Sequence, residues 1–295
     1  ITFLEILTQK FDVAVANPPY TDSSDFGEEL RSFVEVNYKK PLNCSVNLYG
    51  TFAKRCTEII NDSGKVALVH PPTFMFIKTF DDLRRHILDN FHIDVFIDWG
   101  YLGMFNPKAR VDSAMYVLEK KTNENKNSIF IKLNDIYEGK RKDAFFEVYD
   151  GLVFKQSNHL IYSLDQSKLK MIKTWPFIYW ISDSFRDKFG GKSIDDYFSP
   201  KNGLQTGDNN RYLRFWWEVK KDFEQYKLQD KRILYSKGGP YNKWFGNLWT
   251  TVNWSETGAP LNNTTKGFFK EGVTFSGTST KGASFRFLPE GNTFD

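Results

Sequence analysis

Hydrophobic and polar positions along the first 120 residues switch between two periods. Val13-Ala14-Val15-Ala16 is a short continuous apolar run, the pattern of a strand buried on both faces. From Asn47 to Ile60 the spacing becomes helical: Leu48, Phe52, Cys56 and Ile59/Ile60 share a stripe, and Lys54, Arg55 and Glu58 lie off it. Asp62, Ser63 and Gly64 stop that helix, and Lys65 to Val69 reads as a second buried strand ending at His70-Pro71-Pro72. Asp81 to Asn90 follows as a helix with Leu83, Ile87 and Leu88 inward. Ile93–Ile97 and Ser113–Leu118 read as further strands. Alternating strands and helices predict an α/β domain with a mainly parallel sheet, whose ligands bind beyond the carboxyl ends of the strands. Asn17 to Tyr20 and His70 to Thr73 both fall at such ends.

The polar run "KKTNENKNS", residues 120–128, is the expected domain boundary. Residues 121–197 read as a connector that mixes strand-like pieces ("SIFIKL", "AFFEVY", "GLVFK") with a helix near 164–173. Residues 198–295, dominated by Gly, Asn, Thr and aromatics, read as an irregular β-rich module with long loops, where recognition usually resides.

Charge sharpens that division. Residues 1–120 carry 13 Lys and Arg against 16 Asp and Glu, while residues 121–295 carry 27 against 20. Seven of the eight Trp also lie after residue 120. Basic charge interleaved with aromatics is the composition of a nucleic-acid-binding surface. Two cysteines and the absence of a signal-peptide pattern fit a reducing, cytoplasmic setting, and no apolar run approaches a membrane span.

Several motifs carry no chemistry. "FGGKS" (189–193) has Arg186 where a P-loop needs glycine. The four His and two Cys lack zinc spacing. Asp94 and Asp98 would lie about 13 Å apart along a strand, a poor metal pair. Asp81-Asp82 reads as a helix start. No metal is expected.

Asn17-Pro18-Pro19-Tyr20 is different. An exocyclic amino group on adenine is a weak nucleophile because its lone pair is delocalised into the ring. Two acceptors pulling on its N–H bonds shift it toward a pyramidal, nucleophilic geometry. Asn17 Oδ1 can supply one and the Pro18 carbonyl the other, on a backbone whose φ angles the two prolines lock. Tyr20 can stack on a base drawn out of the duplex.

"DVAVANPPY" resembles the catalytic motif of the amino-methylating DNA methyltransferases, which use S-adenosylmethionine as donor. "LYGTFAKRCTEIINDSGKVALVHPPTF" and "FHIDVFIDWGYLGMFNPKARVDSAMYVLEKK" are similar to the later helix and strands of that fold. The resemblance implies a partial Rossmann-like sheet, with Phe105 stacking on the other face of the flipped adenine and Lys108 nearby. "NGLQTGDNNRYLRFWWEV", "PFIYWISDSF", "SKGGPYNKWFGN" and "VTFSGTSTKGASFRFLPEG" resemble the PglX methyltransferases of BREX phage-defence systems and the type IIG restriction–modification enzymes. That likeness implies a target-recognition region at 198–295 acting on double-stranded DNA. Lys108, Gln205, Thr206, Asn209, Arg211, Arg214, Lys237, Lys243 and Arg286 are the expected DNA contacts, since amides, hydroxyls, ammonium and guanidinium groups suit phosphates and base edges.

The pattern departs from the family in one respect. The Gly-rich donor loop that the motif order places ahead of the catalytic strand does not precede Asn17. The expectation is therefore a chain inactive alone, whose sheet is completed by an upstream segment or another chain. Two alternatives stand beside it: a protein-glutamine methyltransferase, which uses the same loop on a side-chain amide, and a non-catalytic DNA-binding defence subunit.

Overall fold

A computed structural model describes residues 8–101, 104–105, 110–120, 126–219, 232–257, 267–277, 281–282 and 284–295. By its internal contacts the chain divides into two units, Ile1–Ser193 and Ile194–Asp295.

The first unit is built on a six-stranded mixed sheet. Its strands are β1 (Phe11–Ala16), β2 (Ile60–His70), β3 (Phe91–Tyr101), β4 (Asp112–Lys120), β5 (Ser128–Lys132) and β6 (Ile161–Leu164), in the order β1-β2-β4-β3-β5-β6. β1 pairs parallel with β2 and β3 parallel with β5. β4 runs antiparallel between β2 and β3, and β6 antiparallel to β5. The register aligns Ala16 with Leu68, His70 with Ala114, and Ala114 with Asp98. The carboxyl ends of β1, β2 and β3 therefore share one edge.

The longer helices are α1 (Glu28–Tyr38), α2 (Leu48–Ile59), α3 (Asp81–Asn90) and α4 (Arg141–Val153). One sheet face packs Ala14, Val66, Leu68, Phe96 and Tyr116 against Ala53, Cys56, Leu83 and Ile87 of α2 and α3. The side chains on the opposite face, among them Met115 and Ile131, meet Val148, Ala144 and Phe145 of α4.

Several expectations change. Val13 and Val15 are exposed, 58% and 75%, because β1 is an edge strand whose Ala14 face alone is covered. The buried stripe of α2 is Tyr49, Ala53 and Cys56; Phe52 lies outside it because Tyr49 finds a stacking and a hydrogen-bonding partner inside. "AFFEVY" and "GLVFK" are α4 and its C-terminus, where Ala144, Phe145 and Val148 supply the helical spacing that packs on Trp99 and Leu133. The segment near 164–173 forms a 3₁₀ helix over Gln166–Met171. The polar run at 120–128 falls inside the first unit, since β5 and β6 extend the same sheet.

The second unit holds β7 (Leu213–Phe215), β8 (Arg232–Ser236), β9 (Thr250–Asn253) and β12 (Thr293–Phe294) in one sheet, ordered β12-β8-β9-β7. A separate antiparallel ribbon pairs β10 (Gly272–Phe275) with β11 (Phe285–Leu288). Leu204, Tyr235, Val252 and Phe268 form its core. The Leu204 N–H donates to the Phe294 carbonyl (2.7 Å) and the Tyr235 hydroxyl to the Leu204 carbonyl (2.6 Å). Gly203 sits in that approach, where a Cβ would stand 2.1 Å from the Phe294 carbonyl oxygen.

Candidate active site

β1 ends at Ala16 and the chain leaves through Asn17-Pro18-Pro19-Tyr20, with Asn17 exposed, Pro18 buried and Tyr20 half-buried. Neither proline brings an N–H, so the backbone at Pro18 and Pro19 offers only acceptors. The Tyr20 hydroxyl donates to Asn17 Oδ1 at 3.0 Å and reaches the Val69 carbonyl at 3.5 Å. That contact turns Asn17 Oδ1 toward the Tyr20 hydroxyl and leaves the oxygen a second lone pair. Burial raises the Tyr20 phenol pKa, so the hydroxyl keeps its proton and remains a donor.

The exit of the loop is tied to α2. The Thr21 carbonyl accepts from the Leu48 N–H at 3.0 Å, Ser23 N–H donates to the Val46 carbonyl at 2.8 Å, and Asp22 forms an antiparallel bridge with Asn47. Asn47 is also the N-cap of α2, its side chain accepting from the Tyr49 N–H. Asn17 to Asp25 is thus held at both ends, by a strand and by a capped helix.

β2 ends in a second Pro-Pro turn beside the first. His70 is buried; its Nδ1 lies 2.9 Å from the Pro71 carbonyl and its Nε2 2.7 Å from the Tyr116 hydroxyl. A carbonyl only accepts, so Nδ1 carries the proton and Tyr116 donates to Nε2. Burial pushes the imidazole pKa down to about 4 and keeps the ring neutral at neutral pH. The following turn is anchored by Arg84, fully buried on α3, which donates to the Phe74 and Ile77 carbonyls at 2.7 Å each and to the Thr174 carbonyl.

β3 brings Asp98 to the same edge. Its carboxylate, 3% exposed, accepts from Asn134 Nδ2 (2.9 Å) and the Tyr179 hydroxyl (3.2 Å). Desolvation raises its pKa to about 6. Gly100, at φ +86°, lets Asn134 approach, since a Cβ there would lie 2.7 Å from Asn134 Cα. Phe105 is exposed on the β3–β4 connection, which opens at this edge; Lys108 lies outside the described residues.

In the second unit, the residues expected to touch DNA divide by burial. Gln205, Asn209, Arg211, Arg214 and Lys243 are exposed. Arg214 donates to the Asn210 and Leu213 carbonyls, and Arg211 lies over the Tyr212 ring at 5.0 Å. Lys237 is half-buried and reaches both Asn209 Oδ1 (3.2 Å) and Asp295 (3.3 Å). Thr206 is buried, donating to Asn209 Oδ1 at 2.6 Å, and Arg286 is 2% exposed. These two are corrections to the expected surface. β11 alternates with Phe285 and Phe287 outward and Arg286 and Leu288 inward, and Arg286 donates to the Ser276 and Ser284 hydroxyls. Sequence reasoning assigned no role to Trp244, Phe245, Phe275 and Phe287, which are exposed in this unit. Aromatics at alternate positions of "VTF" and "FRF" were the available signal.

Residues 2–105 match the Eco57I restriction-modification methylase. The Eco57I-methylase segment contains β1 to β3, both Pro-Pro turns and Phe105. The adenine-specific methyltransferase PglX of Lacticaseibacillus casei is 25% identical over 98% of the chain and 26% of its own length. The adenine-specific methyltransferase BrxX of Escherichia coli O9:H4 is 28% identical over 98% of the chain and 24% of its own length. The chain thus spans about a quarter of the length of these curated relatives. Among solved structures, a type I restriction-modification methyltransferase subunit from Streptococcus thermophilus aligns with 58% of the chain and 38% of its own, at TM-score 0.44 and 14% identity.

Proposed function

We propose that this chain supplies the base-holding loop and DNA-recognition surface of an N6-adenine DNA methyltransferase in restriction–modification or phage defence. The observation that carries the reading is the Asn17–Tyr20 turn, placed at the carboxyl edge of the sheet within the segment that matches the Eco57I methylase. The methyl group would pass directly from a sulfonium donor, which leaves as a thioether, to adenine N6, which then loses one amino proton to solvent, with no covalent enzyme intermediate. The adenine, flipped from double-stranded DNA, stacks on the Tyr20 ring, with Phe105 available on the same edge. Asn17 Oδ1, through its second lone pair, and the Pro18 carbonyl accept the two amino hydrogens and raise the nucleophilicity of N6. Acceptors already fixed by a strand end and a capped helix need little reorganisation as charge develops, which is worth several kcal/mol of barrier at about 3 kcal/mol per well-placed group.

S-adenosylmethionine, which the methylase family implies, calls for a Gly-rich strand-to-helix turn followed by an acidic residue. β1 and β2 leave the sheet through proline pairs, so the described turns do not fit that donor. The chain's own residues act on the acceptor base. Arg211, Arg214 and Lys243, exposed in the second unit, are the proposed phosphate contacts, with Gln205 and Asn209 beside them.

The test is Asn17→Ala in the whole methyltransferase that carries this sequence. Methylation of duplex DNA should fall by at least 10²-fold while DNA affinity is kept. Wild-type methylation by that variant would refute the assignment.

A further inference from the structure

We propose that His70 is a positioning residue for the Asn17–Tyr20 loop, holding it through the Val69 carbonyl on one side and the Tyr49 ring on the other. The proposal deepens the reading above and rests on it.

His70 does not touch the loop, but two short paths run from it to the loop's two ends. The first path is covalent: His70 follows Val69, whose carbonyl faces the Tyr20 hydroxyl that also caps Asn17 Oδ1. The second runs through stacking. The Tyr49 ring lies parallel to the imidazole, 4.6 Å between centroids and 12° between planes, and the Tyr49 hydroxyl is 2.8 Å from Thr73 Oγ1 beyond the prolines. Tyr49 stands in the first turn of α2, whose Leu48 N–H holds the Thr21 carbonyl and whose N-cap Asn47 bridges Asp22. The Tyr20 hydroxyl that caps Asn17 and the exit of the catalytic turn at Thr21 and Asp22 therefore both lead back to one imidazole.

The residue type is informative. A phenylalanine would pack as well among Tyr49, Phe74 and Tyr116, whose rings lie 4.6, 4.9 and 5.3 Å away. Histidine adds a donor at Nδ1 and an acceptor at Nε2, and both are used. The Nδ1–H bond fixes the Pro71 carbonyl, and with it the direction the chain takes after His70. The Tyr116 bond fixes the plane of the ring on which Tyr49 stacks. Burying an imidazole costs desolvation that a purely packing residue avoids. That cost is sensible where the two polar bonds set a geometry.

The experiment uses the full chain and then the methyltransferase that carries it. Long-range ¹⁵N–¹H correlation on the unmutated chain at pH 7 should show a neutral His70 ring protonated at Nδ1. Protonation at Nε2, or at both nitrogens, would overturn the proposal without any variant. His70→Phe keeps the aromatic packing and removes the Nδ1 donor, whereas His70→Asn keeps a donor close to the Nδ1 position. The Asn17 side-chain amide and Tyr20 ring resonances should shift in His70→Phe and return toward their original positions in His70→Asn. A folded His70→Phe chain with both sets unmoved refutes positioning.

In the methylation assay His70→Phe should lower kcat by about 10²-fold with KM for DNA unchanged, and His70→Asn, which restores the Nδ1 donor without the ring, should recover part of that loss. If Asn17→Ala abolishes methylation and His70→Phe leaves kcat untouched, the inference about His70 fails alone. If Asn17→Ala methylates normally, the functional reading fails, and the resonance shifts still decide whether His70 positions the loop.

Discussion

Replacing Asp98 with asparagine should change how the stability of the first unit depends on pH. Asp98 is almost wholly buried at the end of β3, and its oxygen accepts from Asn134 and Tyr179 without a cation bonded to it among the described contacts. Burial is the largest cause of its raised pKa, about 6 in the folded chain against 3.8 for a free carboxyl. The folded state therefore binds a proton that the unfolded state releases between about pH 4 and pH 6. Stability from this group is full below the unfolded pKa and is lost as pH rises through the folded one, opposite in sign to a salt-bridged aspartate. A shift of this size corresponds to about 3 kcal/mol, at a slope of roughly 1.4 kcal/mol per pH unit inside the window. The introduced amide would keep an acceptor for Asn134 and Tyr179 and would not titrate. Urea titrations in steps from pH 4 to pH 7.5 measure this, read by hydrogen exchange of the β3 and β4 peptides so that the first unit is followed alone. The wild-type minus Asp98→Asn difference isolates the carboxyl from every other titrating group. The variant should gain on the wild type by about 3 kcal/mol across the window. A difference that stays flat between pH 4 and pH 7 would show that Asp98 titrates as an ordinary carboxylate and would refute the reasoning.

Other substitutions test other parts of the molecule. Arg84→Met leaves the carbonyls of Phe74, Ile77 and Thr174 without their donor and should cost about 3–5 kcal/mol, seen as a lower urea midpoint. Gly203→Ala sets a methyl against the Phe294 carbonyl and should destabilise the second unit by about 1–3 kcal/mol, measured by hydrogen exchange of β8 and β12. Arg214→Ala should weaken duplex DNA binding and reduce the slope of log K against log salt by about 0.9, read by fluorescence anisotropy across a salt series.

The Asn17–Tyr20 turn stands out in the sequence because the chemistry proposed for it is local. Four consecutive residues carry the acceptors, the rigid backbone and the ring, and an apolar strand ahead of them fixes their place. The α/β alternation was legible for the same reason, since each element announces its own period. What could not be read was decided by tertiary partners. Tyr49 rather than Phe52 turns inward because His70 and Thr73, distant in the chain, lie opposite it. "AFFEVY" has strand-like composition, yet Trp99 and Leu133 offer a surface that suits a helix face. Arg286 looked like a surface cation, and its burial follows from the parity of β11, where Leu288 belongs to the interior. A basic residue in a short aromatic strand carries no mark of which side it takes.

The position of β4 has a consequence for assembly. β2 and β3 do not pair with each other; β4, which follows both in the chain, is the strand that joins them. Without β4 the pairing of the sheet would fall into two parts, β1 with β2 and β3 with β5 and β6. Asn17 and His70 belong to one part, Asp98 and Phe105 to the other. Tyr116, whose hydroxyl completes the bonding of His70, arrives on β4 itself. The strand that joins the two parts of the sheet thus also carries the hydroxyl that bonds His70 behind the Asn17–Tyr20 turn, so the join and the proposed base-holding site depend on the same strand.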